Sequence, residues 1–192
     1  MRLRVCRTDG KIGQYVQDHP GRAQVLAQRL NPETLFRSGP IVIGVLNPFS
    51  ILQPDEVCWV EARTSATDMA TRLPHHVERI RRLADRAEYE ALLARQWPKW
   101  RTNAKNQPGD LLEALVELTF RGADPMYLHV TGFVENTSLA KTIFGPPCIT
   151  ASVEPDGIVY INPRCVVRAR VYHSMTEVNL PEGLWCAEAD EI

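Results

Sequence analysis

The sequence predicts an α+β fold in which a mixed or antiparallel sheet, with a C-terminal three-strand meander, packs against two or three helices. Segments with helical and strand patterns follow one another without the strict alternation that is typical of a doubly wound parallel sheet. The clearest turn signal, Glu154-Pro155-Asp156-Gly157, separates two apolar runs of strand length and indicates an antiparallel hairpin. With 192 residues, of which 44% are hydrophobic, the chain is long enough to bury a sizeable core.

The first third of the chain predicts a strand, a helix and two further strands. Leucine and valine alternate with arginine from Arg2 to Arg7, which is the period of a strand with two different faces. Pro20 fits the first turn of a helix that runs to Leu30, because Asn31-Pro32 then stops it. The β-branched run from Ile41 to Leu46 is typical of a central strand covered on both faces, and Glu56 to Arg63 predicts the next strand.

The middle of the chain predicts three helices followed by a strand. A capping box opens a short helix from Ser65 to Pro74, and an apolar stripe at helical period predicts a long helix from about His75 to Gln96. Trp97-Pro98 ends that helix, since the residue before a proline disfavours the helical conformation. The leucine-rich run from Asp110 to Phe120 is interpreted as a third, largely buried helix, and Met126 to Val134 alternates as a strand.

The last third of the chain predicts the antiparallel meander. Its strands are Cys148 to Val153, Ile158 to Asn162 and Cys165 to His173, joined by the turn at Glu154 and by Asn162-Pro163. We therefore expect a single globular domain over residues 1–173 and an irregular acidic tail over residues 174–192.

Charge is divided into separate blocks although the formal net charge is only -1. Met1 to Leu30 carries six basic and two acidic residues, and Arg72 to Lys105 carries nine basic and four acidic residues. Ser174 to Ile192 carries five acidic residues and no basic residue. These surfaces can attract different partners, whereas the low total charge argues against indiscriminate binding of duplex nucleic acid.

Composition and motifs exclude several classes of site. No apolar run resembles a secretory signal or reaches the length of a membrane span, so a cytoplasmic location is expected. The five cysteines are widely spaced and form no C-x-x-C pair, which favours buried, reduced thiols over a zinc site. Glycine loops that bind nucleotide phosphates are missing, and no cofactor is predicted.

Two groups of residues predict binding of single-stranded nucleic acid, because guanidinium groups neutralise phosphates and aromatic rings stack on bases. The first group shares a strand face if the first and last strands lie in one sheet: Arg2, Arg4, Arg164, Arg168, Arg170 and Tyr172. The second group lies in the candidate linker or functional loop from Trp97 to Gly109: Trp97, Lys99, Trp100 and Arg101. We therefore predict a non-catalytic, nucleic-acid-binding subunit of a larger assembly, with other protein subunits as partners and no membrane association.

Other interpretations of the same residues stay open. The arginines fit an ordinary solvated sheet face or a face paired with the acidic tail, and the tryptophans fit the core. Cys148 and His129 could form the cleft of a small cysteine- and histidine-dependent enzyme if the fold brings them together. The basic residues could instead dock an acidic partner surface, which would make the chain a protein-interaction module.

Overall fold

The computed structural model describes residues 1–37, 39–44, 49–64, 80–102, 111–133 and 145–174. Strands dominate these residues, and two α-helices accompany them. In chain order the elements are β1 (Arg2–Arg7), β2 (Ile12–Val16), α1 (Pro20–Arg29), β3 (Ile41–Ile43), β4 (Ser50–Leu52), β5 (Val57–Arg63), β6 (Ile80–Arg82), α2 (Arg86–Thr102), β7 (Leu111–Phe120), β8 (Met126–Phe133), β9 (Ile149–Val153), β10 (Gly157–Ile161) and β11 (Val166–His173). The predicted α+β fold with two or three helices is wrong, because most of the described secondary structure belongs to one large sheet.

Nine strands form this sheet, and β3 and β4 form a separate antiparallel hairpin. The order across the sheet is β11-β7-β8-β6-β9-β10-β5-β1-β2, so that β11 and β2 are its edges. Neighbouring strands are antiparallel except for β6 and β9, which are parallel. The sheet is therefore mixed, as the sequence predicts, but far larger than a meander.

The sheet curls strongly, because strands that are distant in the sheet order share one core. Trp59 on β5 and Leu118 on β7 belong to the same buried cluster, although four strands lie between β5 and β7. Cys6 on β1 belongs to this cluster as well. A flat sheet would hold these side chains far apart, since neighbouring strands are about 4.8 Å apart. We call the face that carries this cluster the concave face and the opposite face the convex face.

Two separate layers cover the convex face. At the β1–β5 end, Leu3 and Val60 pack with Phe36 and with Leu26 of α1. At the β7–β8 end, Leu115 packs beneath Tyr89 and Trp100 of α2. The helices therefore cover opposite ends of the sheet and leave the concave face to form its own core.

The predicted helix from Asp110 to Phe120 is wrong, since Leu111–Phe120 is strand β7. Its even-numbered residues from Leu112 to Phe120 all lie in the concave core, whereas Glu113 and Glu117 face the other way. A leucine-rich run of this length satisfies a helical stripe as well as a strand that is buried on both faces. Burial of the convex-facing Leu115 under α2 removes the simple alternation that would have identified the strand.

The predicted long helix begins later and ends later than its pattern indicates. Ile80–Arg82 is strand β6, and α2 runs from Arg86 to Thr102 with Pro98 inside it. Proline removes one helical hydrogen bond, but Trp97 and Trp100 pack on the sheet on either side of it. Tertiary packing of the tryptophans thus outweighs the local preference of Pro98 to end the helix.

The predicted C-terminal meander is half right. β9 and β10 form the hairpin around the Glu154–Gly157 turn, but β11 pairs with β7 at the opposite edge of the sheet. Asn162, which is fully buried, redirects the chain after β10: its side-chain N–H groups donate to the carbonyl oxygens of Pro54 at 2.9 Å and Val57 at 3.1 Å. Its side-chain oxygen accepts from the backbone N–H of Arg164 and opens a short 3-10 turn at Pro163–Cys165.

The strands predicted at Arg2 to Arg7, Glu56 to Arg63 and Met126 to Val134 are confirmed to within a residue, and so is the helix that begins at Pro20. The strand predicted at Ile41 is present but peripheral, since Val42 is exposed and β3 lies outside the main sheet. In the part of the chain that the structure describes, no helix is long and apolar enough to span a membrane.

Several predictions fall outside the described residues. They concern the short helix from Ser65 to Pro74, residues 103–109 of the predicted loop and residues 175–192 of the acidic tail. The division into a domain over residues 1–173 and a tail therefore stays a prediction.

Candidate anion-binding site

The most unusual residue of the concave face is Glu61, a carboxylate on β5 with only 1% of its surface exposed. Its neighbours across the sheet are Arg4 on β1 and Val159 on β10. It accepts hydrogen bonds from Arg63 Nε at 2.7 Å, from Arg82 Nη1 at 2.6 Å and, more weakly, from Arg4 Nη1 at 3.5 Å. Three strands, β1, β5 and β6, thus bring guanidinium groups to one carboxylate.

The group of Glu61 and its arginine partners has more positive charge than the ion pairing needs. Three guanidinium groups against one carboxylate leave a formal excess of two positive charges. Burial lowers the pKa of Arg82, but an arginine starts so far above neutrality that its guanidinium group stays charged. The excess charge is therefore permanent at neutral pH.

Trp59 forms the floor of this group. The guanidinium carbons of Arg82 and Arg4 lie 5.3 Å and 5.7 Å from the centre of a Trp59 ring, within range of cation–π attraction. Trp59 itself is only 5% exposed, so that its rings are occupied by the arginines and the core. The aromatic residue positions the arginines and has no open face on which another ring could stack.

A second ion-pair network borders the same cavity. Arg81 Nη1 lies 2.9 Å from Glu88 of α2 and 3.8 Å from Glu154 of the β9–β10 turn. Glu88 also accepts from the backbone N–H of Ala84, which lowers the pKa of this carboxylate. These contacts fasten the start of α2 to the rim of the site.

An open cavity of about 280 Å³ lies between these groups. Its charged lining residues are Arg4, Glu61, Arg63, Arg81, Arg82, Glu88 and Glu154. Arginine presents five donors in a planar fork, so most of the donors around Glu61 are not used by the three hydrogen bonds to its carboxylate. The arrangement is suited to binding an oxyanion. Among the described residues, no group of three or more His, Cys, Asp or Glu side chains is placed to hold a metal ion.

The first predicted group of arginines does not form one surface. β1 and β11 do share a sheet, but six strands separate them and their arginines lie on opposite faces. Arg4 lines the concave cavity, and Arg2 lies on the same face opposite Arg63. Arg164 lies in the 3-10 turn before β11, where its Nη1 is 3.2 Å from Asp55.

Members of both predicted groups meet on the convex face, between α2 and β11. Trp97 contacts Tyr172 edge to face with ring centres 5.2 Å apart, and Arg170 lies 5.8 Å from the centre of the Tyr172 ring. Arg168 is exposed on the same strand, and Lys99 and Arg101 are exposed on α2. Trp100 is buried in the core beneath α2, as one of the alternative interpretations of the tryptophans predicts.

The predicted cysteine and histidine pair is not brought together. Cys148 belongs to the convex core near α1, where burial raises the pKa of its thiol to about 12. His129 lies on β8 opposite Leu115, at the end of the sheet that α2 covers. A thiol that is buried and protonated at neutral pH is a poor nucleophile. All four cysteines of the described residues are buried free thiols, as predicted.

Sequence reasoning missed the centre of the site, which consists of Trp59, Glu61, Arg63 and Arg82. A signal for part of it was present, because Trp59, Glu61 and Arg63 alternate on one face of a strand. A lone carboxylate between a tryptophan and an arginine in a buried strand requires a cationic partner. The partner from β6 could not be identified, since that segment has a helical pattern.

Comparisons with known proteins do not assign the chain to a family. No family model matches it, no curated protein matches its sequence, and no solved structure matches its fold.

Proposed function

We propose that this protein binds a phosphate-bearing ligand in the cavity around Glu61. The observation that carries the proposal is the convergence of Arg4, Arg63 and Arg82 on one buried carboxylate at the wall of an open cavity. A structural ion pair needs one guanidinium group for one carboxylate. The two additional positive charges of this group lie in a concave place, where they strengthen the field on an approaching anion. Arg81, Glu88 and Glu154 also line the cavity, and with them the whole lining has one net positive charge.

The three guanidinium groups gathered at Glu61 favour a phosphate group over a carboxylate, because they offer donors to more than two oxygens. Guanidinium forks match the oxygen geometry of phosphate and bind it in a bidentate manner. The cavity of about 280 Å³ accommodates a phosphate group with a small attached moiety. Because Trp59 has no open ring face, the cavity recognises the phosphate and not a base.

Calorimetric titration with inorganic phosphate, ribose 5-phosphate and a single-stranded oligonucleotide tests this proposal and distinguishes the sources of phosphate. We expect binding that weakens with added salt, and Arg4→Gln should lower the affinity about tenfold because one charge-assisted hydrogen bond is lost. Arg4 is suitable since its side chain is 42% exposed, which limits the effect on folding. Arg164→Gln, a change at an exposed arginine outside the cavity, is the matched control. Absence of binding to all three probes would exclude the proposal.

The second candidate function is binding of single-stranded nucleic acid at the surface between α2 and β11. The observation in its favour is that Trp97, Tyr172 and Arg170, which the sequence places in two different groups, are in contact. Arg168 on β11 and Lys99 and Arg101 on α2 are exposed basic residues of the same two elements. Action as a subunit of a cytoplasmic assembly is part of this second candidate and remains a prediction.

Fluorescence anisotropy with labelled single-stranded DNA and RNA at two salt concentrations tests the second candidate. The double change of Arg168 and Arg170 to glutamine should weaken binding and reduce the salt slope by about two, because two phosphate contacts are lost. Arg4→Gln is the control that separates this surface from the cavity at Glu61. Binding that does not depend on salt, or that depends on Arg4 alone, would contradict the assignment to α2 and β11.

A further inference from the structure

Exposed apolar side chains are concentrated at the end of the molecule that carries α1. Eight large hydrophobic side chains are exposed in the described residues. Most of them lie on β2, on α1, on β3, on β4 or at the residue directly before β4. These are Ile12, Val16, Val25, Val42, Phe49 and Ile51. An apolar concentration of this kind marks a binding surface more often than a chance distribution.

Three of these side chains, Val16, Val25 and Val42, line the gap that remains because α1 does not close onto the sheet. None of its residues is fully buried, and only the half-buried Leu26 is part of the convex core. The gap between α1, β1–β2 and β3 holds a cavity of about 590 Å³, and a second cavity of about 320 Å³ continues it towards Leu35 and Pro40. The two cavities share lining residues, so they form one groove: Leu3, Leu26, Arg29, Val42 and Ile43.

The charge of this groove is one-sided. Arg22 and Arg29 are its only charged lining residues among those the structure describes, and no carboxylate lines either cavity. They are seven residues apart on α1, which places them on one side of the helix about 10 Å apart along its axis. Neither guanidinium group has an ion-pair partner within the described part of the chain.

We infer that the groove binds a long-chain carboxylate, with the acyl chain along Leu3, Leu26 and Ile43 and the carboxylate at Arg29 or Arg22. The volume lies in the range of small-molecule sites, which combine an apolar lining with a few convergent polar groups. A second copy of the chain fits less well. Contact of α1 with α1 would bring the unpaired arginines of both copies together, and like charges oppose such contact.

Titration with laurate, below the concentration at which it forms micelles, tests this inference by calorimetry. We expect binding of one laurate per chain, with 1-dodecanol about tenfold weaker because it cannot pair with a guanidinium group. The double change of Arg22 and Arg29 to glutamine should remove this preference for laurate over dodecanol. Val25→Glu should abolish laurate binding, since it places a carboxylate in the apolar lining.

Two controls keep the test independent of folding and of the site at Glu61. Changes on α1 leave the core intact because the helix has no fully buried residue, and thermal denaturation checks this directly. Arg4→Gln should leave laurate binding unchanged. Equal affinity for laurate and dodecanol would overturn the inference, and so would a dimer in sedimentation that Val25→Glu converts to a monomer in the absence of ligand.

Discussion

Replacing Glu61 by glutamine is expected to lower the free energy of unfolding by about 3 kcal/mol, because three guanidinium groups lose the buried carboxylate that accepts from all of them. The side chain keeps its shape, so the loss reports charge and not packing. The loss of the ion pair costs most at Arg82, because its side chain is only 21% exposed and water cannot fully replace the carboxylate. Urea denaturation measures the effect. Glu154→Gln is the control, because that carboxylate is 79% exposed and its ion pair should contribute less than about 1 kcal/mol.

The same substitution is expected to strengthen phosphate binding although it destabilises the fold. This difference distinguishes a binding site from an ion network that serves the fold alone. Without the Glu61 carboxylate, three guanidinium groups lose the carboxylate that they share, and phosphate should bind more tightly. Phosphate should therefore restore much of the lost stability, whereas chloride at equal ionic strength should not. If both salts protect the variant equally, the arginines serve the fold alone and the proposed function is wrong.

The parts of the fold that could be predicted are those in which local chemistry and tertiary structure agree. Arg2–Arg7 alternates because one face of β1 meets the convex core, and Pro20 begins a helix because its conformation fits the first turn. β7 could not be predicted, since both of its faces are covered and its apolar pattern no longer alternates. The path of the chain into β11 could not be predicted either, because it depends on long-range hydrogen bonds from Asn162 to Pro54 and Val57.

The site could be predicted only in fragments, because the curl of the sheet brings it together. Arg4 was identified from its own strand, whereas Glu61 and Arg82 are joined to it by pairing across β5 and by the return of the chain at β6. The sequence groups Arg4 with Arg170 because alternate residues of a strand share a face. This alternation identifies the two faces of one strand, but it does not show which faces of two distant strands lie on the same side of the sheet.

The β1–β2 turn and the β7–β8 turn are in close contact, although their strands are distant in the sheet order. Gly122 has a φ of +68°, and a Cβ atom built on it would overlap the carbonyl oxygen of Thr8. Gly10 lies in the same contact, with a φ of +77° and space for a Cβ only 2.9 Å from the carbonyl oxygen of Gly122. Two turns from distant parts of the chain therefore meet backbone against backbone, which only glycine permits.

Gly122→Ala is accordingly expected to lower the free energy of unfolding by about 3 kcal/mol, from the left-handed backbone and the displacement of Thr8 together. Gly39→Ala is the matched control, because Gly39 has a φ of +105° but no atom of the described residues lies within 4 Å of its added Cβ. It should show the backbone strain alone, about 1 to 2 kcal/mol. Thermal denaturation compares the two variants, and about 1 kcal/mol corresponds to a shift in Tm of about 2 to 4 °C at this chain length. If both variants lose the same stability, the turns are not in contact and the sheet is more open than described.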